Sequence, residues 1–234
     1  MARRMTLEGA KVKAVIEILP YPSGLPRNVE QCLNDFNIPL LLNQTILKIN
    51  GKYRLESIVT AKKEIKCDTL LLSCGLIPEN ELAKEAGIII DQNTLGPYVN
   101  DNYMTNVPGI FSCGNSLHVH DIADFATMEA ENTAKNAVDF IKNNIKRPVS
   151  PIKTIPGENI RYIVPQFISP NKDTELSFRA LSPKNNIYLT LFDKEKEIKK
   201  IKFFNRVNPP EMIKIKIEKN YLKNISNLKL GFTI

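Results

Sequence analysis

The chain has 234 residues, 43% of them apolar, and a formal net charge of +7 at pH 7. That length suits one to three compact units, and that apolar share supports a buried core and excludes global disorder. The longest strongly apolar run, residues 70–76, is far too short to cross a bilayer, which takes ~20 residues. The opening Met1-Ala2-Arg3-Arg4 runs into a mixed polar segment with no apolar h-region, so no secretory signal is expected. Cys32, Cys67, Cys74 and Cys113 make no CxxC pair, which argues against a zinc ribbon or a local redox dithiol and for a reducing cytoplasm.

Residues 2–8 read as a helix closed by Gly9. Residues 11–18 alternate as a strand, with Val12, Ala14 and Ile16 on one face. Pro20, Pro22 and Gly24 make a loop. Asn28 is expected to cap the next helix, with Gln31 completing a capping box and Val29, Cys32, Leu33 and Phe36 as its buried stripe. Residues 38–42 are an apolar strand. Residues 45–49, 54–60 and 63–67 then read as a three-stranded meander, with Asn50-Gly51 as a tight hairpin signal. Residues 69–73 form a continuous apolar run suited to a strand covered on both faces, ending at Cys74-Gly75.

Residues 110–113 read as a short buried strand that stops on Gly114 and Asn115. A helix is expected over 124–141, with Ala130, Ala134, Val138 and Ile141 as its buried stripe. A strand, a glycine and a helix N-terminus in sequence bring backbone close to a ligand, because glycine has no Cβ to block the approach and the helix end presents free N–H groups. Cys74 and Cys113 read as small buried residues at strand ends.

The charge is uneven. Residues 1–145 carry 14 basic and 17 acidic side chains, whereas residues 146–234 carry 18 basic and 8 acidic. The shift places a boundary near Arg147-Pro148, with Pro148, Pro151 and Pro156 as a stiff linker. Beyond it five strands are expected at 160–164, 175–180, 187–192, 198–203 and 212–217. Asp193 to Lys196 is a charged hairpin tip, and Pro209-Pro210 is a break. The lysines alternate with isoleucines as on the wet face of strands, and no aromatic RNA-binding motif accompanies them, so a nucleic-acid partner is not expected.

Three stretches resemble the C-terminal part of flavoproteins with two dinucleotide-binding domains, the pyridine nucleotide-disulfide oxidoreductases and related NAD(FAD)-dependent dehydrogenases. The meander followed by Leu70-Leu71-Leu72-Ser73-Cys74-Gly75-Leu76-Ile77-Pro78 resembles the crossover from the NAD domain back to the FAD domain. Gly96-Pro97-Tyr98-Val99-Asn100-Asp101, with Thr105, Pro108 and Gly109, resembles the lead-in to the last flavin motif. Gly109 to Asn115 resembles that motif, with Asn115 where the family has aspartate. The segment His118-Val119-His120-Asp121 is similar to the branch near sarcosine- and opine-oxidase-type subunits.

The resemblance implies an α/β fold: incomplete Rossmann-like NAD (1–76) and FAD (77–145) domains with a meander and a parallel sheet, then a basic all-β domain (146–234). It implies hydride transfer between nicotinamide and flavin by an FAD- and NAD-linked oxidoreductase. The chain would be a C-terminal fragment or subunit of that enzyme, since it carries no GxGxxG loop. The alternative is a non-catalytic module needing a partner chain that supplies those loops. Gly75, Gly114 and Asn115 would approach FAD, and the amides of Ala123, Asp124 and Phe125 would face the isoalloxazine; Asp124 also reads as an ordinary helix cap. Glu17, at the end of the strand after the first helix, would accept from the ribose hydroxyls of NAD and disfavour a 2′-phosphate. A small-molecule substrate is expected, an amino acid or amine by the branch resemblance, along with a partner subunit or homo-oligomer and no membrane. His118 and His120 have no further histidine or cysteine cluster to complete a metal set, so no metal is expected.

Overall fold

A computed structural model describes residues 1–142 and 151–234; the boundary expected at Arg147-Pro148 lies outside them. The chain divides into two compact units, Met1–Gly75 and Leu76–Ile234, so the segments flanking that expected boundary fall in one unit. Pro156 is the last residue of a strand, not part of a linker.

In the first unit, helix α1 (Ala2–Leu7) ends beside Gly9, whose N–H bonds the Thr6 carbonyl at φ +89°. Strand β1 (Val15–Ile16) is much shorter than the alternating stretch suggests. It pairs in parallel with only β2 (Leu40–Leu41), and a strand is regular only where a neighbour completes its ladder. Helix α2 (Pro26–Cys32) starts on Pro26, not after Asn28, and has no side-chain cap bond; proline suits the first helical position because its missing N–H would be unpaired there anyway. The meander forms as β3 (Ile46–Asn50), β4 (Ser57–Thr60) and β5 (Glu64–Lys66), all antiparallel. Its first turn is not the two-residue hairpin that Asn50-Gly51 suggests. Asn50 pairs with Ser57 across a six-residue loop. Gly51 sits at φ +139°, where a Cβ would lie 1.9 Å from the Arg54 carbonyl oxygen.

The largest departure is at residues 69–73, which form no strand. Leu71, Leu72, Leu76 and Ile77 are 56–72% exposed. The apolar run suits a strand buried on both faces, but no described strand pairs with it, and backbone without a ladder partner stays irregular. Cys74 is accordingly exposed and Cys113 half-buried, and both are free thiols.

The second unit opens with α3 (Glu81–Glu85), followed by a long stretch of turns and single bridges, Ile90 to Pro97 and Met104 to Phe111. Residues 110–113 are part of this bridged loop, not a strand. Helix α4 (Ala123–Lys142) follows, and its inward face is not the alanine stripe. Glu129 and Thr133 are buried and Phe125 and Phe140 half-buried, while Ala130, Ala134, Val138 and Ile141 are exposed. Phe140 meets the Phe111 ring edge-on at 5.9 Å, and a carboxylate with strong partners overrides the apolar pattern.

Among the described residues, eight strands complete the unit: β6 (Ile152–Pro156), β7 (Ile160–Val164), β8 (Phe167–Ile168), β9 (Thr174–Ala180), β10 (Lys184–Asp193), β11 (Lys196–Val207), β12 (Ile213–Ile217) and β13 (Asn227–Thr233). β6, β8 and β13 are absent from the sequence expectation. They form a five-stranded sheet, β11-β10-β13-β6-β8, and a three-stranded one, β12-β9-β7. Alternation turns Leu176 and Phe178 of β9, Leu189 and Leu191 of β10, and Leu228 and Leu230 of β13 into one core. The loop stretch docks on β7 through Val99, Leu117, Tyr162 and Val164. The buried Gln166 side chain fixes it there, accepting from the Val99 N–H at 3.0 Å and donating to Asp91 at 3.1 Å.

Leu189 is fully buried, so Leu189→Ala is expected to destabilise this unit by about 2–5 kcal/mol through lost transfer energy plus a cavity. Urea unfolding checks it, read as a lower midpoint at an unchanged slope.

Candidate functional site

The loop between Gly109 and α4 is shaped by its hydrogen bonds. Gly114 takes φ +68° and opens a single 3-10 turn, Gly114–Ser116, its carbonyl accepting from the Leu117 and His118 N–H groups. Asn115 Oδ1 then accepts the His120 N–H at 3.0 Å. These bonds curl the loop so that the His118 and His120 rings lie edge to face, 4.6 Å between centres.

Both rings meet Glu129 from α4. His118 Nε2 is 2.8 Å from Oε2, His120 Nε2 is 3.1 Å from Oε1, and the Gly114 N–H donates to Oε1 at 2.7 Å. All three side chains are buried, Glu129 only 2% exposed. An ionised carboxylate only accepts, so each Nε2 carries a hydrogen. The opposite ring nitrogens, His118 Nδ1 and His120 Nδ1, are buried with no hydrogen-bond partner.

Burial pushes the Glu129 carboxyl up, but the hydrogen bonds from His118 and His120 outweigh it and bring it down to about 2. At His118 burial is the larger influence and lowers its pKa despite the attraction of Glu129. The site therefore holds a carboxylate and a neutral His118 ring at pH 7.

The same loop is tied to the sheets by Arg179 of β9, whose guanidinium donates to Asp121 Oδ1 at 2.5 Å, the Val119 carbonyl at 2.9 Å, the Tyr162 hydroxyl at 3.0 Å and the Pro210 carbonyl. Asp121 Oδ2 accepts the Met212 N–H at 2.7 Å. Val119 and Asp121 are thus anchored to elements far away in sequence.

The expected cofactor residues fall into two groups. Gly114, Asn115, Ala123, Asp124 and Phe125 belong to the loop and the start of α4. Asn115, Ala123 and Asp124 are exposed, and the half-buried Phe125 ring lies 4.9 Å from Lys214 Nζ. Glu17 and Gly75 belong to the first unit. Gly75 lies on an exposed segment at φ +83°. The Glu17 carboxylate accepts from the Leu19 N–H at 3.1 Å and from the Ser23 N–H and hydroxyl; partial burial raises its pKa, and these bonds more than reverse the rise. Sequence reading missed Glu129, Arg179 and Tyr162. The sequence offered Asp121 and Asp124 as the acids near His118 and His120, and the structure pairs both rings with Glu129 instead.

A short parallel strand pair beside an antiparallel meander, and a positive-φ glycine turn opening onto a long helix, define an α/β protein of the nucleotide-cofactor class. The chain belongs to the pyridine nucleotide-disulphide oxidoreductase family, whose pattern it matches over residues 4–139. It is 32% identical over 79 residues to an NAD(P)H sulfur oxidoreductase (CoA-dependent) of Pyrococcus abyssi, covering 34% of this chain and 18% of that protein. It is 30% identical over 101 residues to an NADH oxidase of Methanocaldococcus jannaschii, covering 43% of this chain and 21% of that protein. The matched segments therefore span about a fifth of these curated relatives. A solved FAD-dependent pyridine nucleotide-disulphide oxidoreductase from Desulfovibrio vulgaris shares the fold with TM-score 0.50 at 14% identity, over 81% of this chain and 51% of that one. Among the described residues no helix is long and apolar enough to cross a membrane.

The charge state has a measurable consequence. The unfolded chain takes up protons near 6.5 at His118 and near 4.5 at Glu129, and the folded chain resists both. Stability is therefore fully present above those values and falls as pH drops. Between pH 5 and 2 the Glu129 contribution lost is about 2–3 kcal/mol. Glu129→Gln is expected to be less stable at pH 7 but to lose less on acidification, as followed by urea unfolding across pH. An unchanged acid slope would assign the acid lability to other carboxylates.

Proposed function

We propose that the chain is the C-terminal part of an FAD- and NAD-linked oxidoreductase in which hydride passes between nicotinamide and flavin. The observation that carries this reading is the Gly114 turn of a family member. Its φ of +68° lies in the left-handed region that favours glycine, and a Cβ built there meets nothing within 4 Å, so that side of the backbone is open to a ligand.

The residues present fit the flavin in part. Asn115 Nδ2, which has no protein acceptor among the described residues, would donate to a ribityl hydroxyl where the family resemblance expects aspartate to accept. The amides opening α4 at Ala123 and Asp124, and that of Phe125 in place of its 3.3 Å bond to the Ile122 carbonyl, would stabilise negative charge at the pyrimidine edge of the ring. Glu17 would accept from the ribose hydroxyls of NAD in place of its bonds to Ser23 and Leu19, and would repel a 2′-phosphate. Flavin and nicotinamide, when bound, supply the redox chemistry; the chain's part is to place them and exclude water. The proposed substrate is an amino acid or amine, following the resemblance around His118 to Asp121. The proposed location is the cytoplasm, supported by four free cysteines.

A second reading is supported by the exposed Leu71, Leu72, Leu76 and Ile77. Such a run suits a sheet strand, so the chain would work with a partner segment that carries the glycine-rich loops and covers it.

Absorbance of the purified chain, alone and after addition of FAD, tests the proposal. Flavin bands are expected, and Gly114→Val is expected to abolish them while far-UV circular dichroism is retained. Bands only on co-expression with a chain carrying glycine-rich loops support the partner-dependent reading. No bound flavin under either condition overturns both. A tighter titration with NADP than with NAD would overturn the role of Glu17.

A further inference from the structure

We propose that His118, His120 and Glu129 form a binding site for one divalent transition-metal ion of the zinc class. Each side chain offers a ligand atom, and the three atoms lie within 4.8 Å of one another in a buried place. The loop supplies two and the facing helix the third, so the set exists only in the folded unit. Two imidazoles and one carboxylate suit zinc and its neighbours in the first transition row rather than magnesium or calcium, which take oxygen ligands.

The spacing is close to what an ion needs. Zinc holds nitrogen and carboxylate oxygen at ~2.0–2.2 Å, which puts neighbouring tetrahedral ligand atoms about 3.3 Å apart. His118 Nε2 lies 2.8 Å from Glu129 Oε2 and His120 Nε2 lies 3.1 Å from Oε1, so each histidine is within a few tenths of an ångström of that spacing from a carboxylate oxygen.

The unpartnered His118 Nδ1 and His120 Nδ1 are the second observation. No group on the far side of either ring fixes where its hydrogen resides. Each ring can carry that hydrogen on Nδ1 and present the Nε2 lone pair to an ion. Two Nε2–H bonds to Glu129 are replaced by two nitrogen–metal bonds and one oxygen–metal bond. Glu129 keeps the Gly114 N–H on Oε1, a bond of the kind that orients a ligating carboxylate, and binds through Oε2. Three protein ligands leave the fourth position to water or an anion.

The full chain is titrated with Zn2+ against a chelating indicator, and with Co2+ followed by visible absorption. One ion per chain is expected, with the intense bands of four-coordinate Co2+. His118→Asn with His120→Asn is expected to weaken binding by about 100-fold or more, beyond what loss of an outer-shell partner costs, at unchanged circular dichroism. Undiminished binding in that variant overturns the proposal. X-ray absorption of the zinc-loaded wild type decides the matter if the variant fails to fold. Scattering from two imidazoles without sulfur upholds the site; a sulfur ligand, fewer than two imidazoles, or no bound ion overturns it.

Discussion

A carboxylate buried in a helix face is tolerated only when donors replace the water it has lost. Glu129 has three: the Gly114 amide and the Nε2–H groups of His118 and His120. All three come from one short loop, so satisfying the charge also sets the loop's path and the rotation of α4. Arg179 closes the same loop from the sheet side, meeting Asp121 and two carbonyls of its surroundings.

The two units rest on different amounts of core. In Met1–Gly75 the buried apolar side chains are Leu33, Ile38 and Ile58, helped by a Thr60 to Gln44 hydrogen bond at 2.9 Å. In Leu76–Ile234 the two sheets share a large apolar cluster, and the loops leading to the site are laid on it by Gln166 and by the packing of Val99 and Leu117 on β7. The Gly114 loop is therefore positioned by a well-packed scaffold although it has little regular structure of its own.

Gly114 serves two ends. Its positive φ and open Cα side favour close approach by a cofactor, while its N–H is committed to Glu129 and so cannot be offered to a phosphate. A loop held on its inner edge by the bonds to Glu129 and Arg179 is ordered before any ligand arrives, which lowers the ordering cost of binding.

Local chemistry in the sequence determined a good deal. The period-2 alternation of Ile213, Ile215 and Ile217, the meander from residue 45 to 67, the long helix before residue 142 and the glycine at 114 were all legible, because each depends on neighbours in the chain. What depends on distant partners was not. The run at 69–73 has strand composition but no described strand to pair with, and β6 and β13 owe their pairing to a parallel ladder between segments some seventy residues apart. The inward face of α4 was read as alanine because periodicity counts apolar residues. Only the folded chain decided for Glu129, since the hydrogen bonds that make its burial affordable come from a loop whose path no local pattern records.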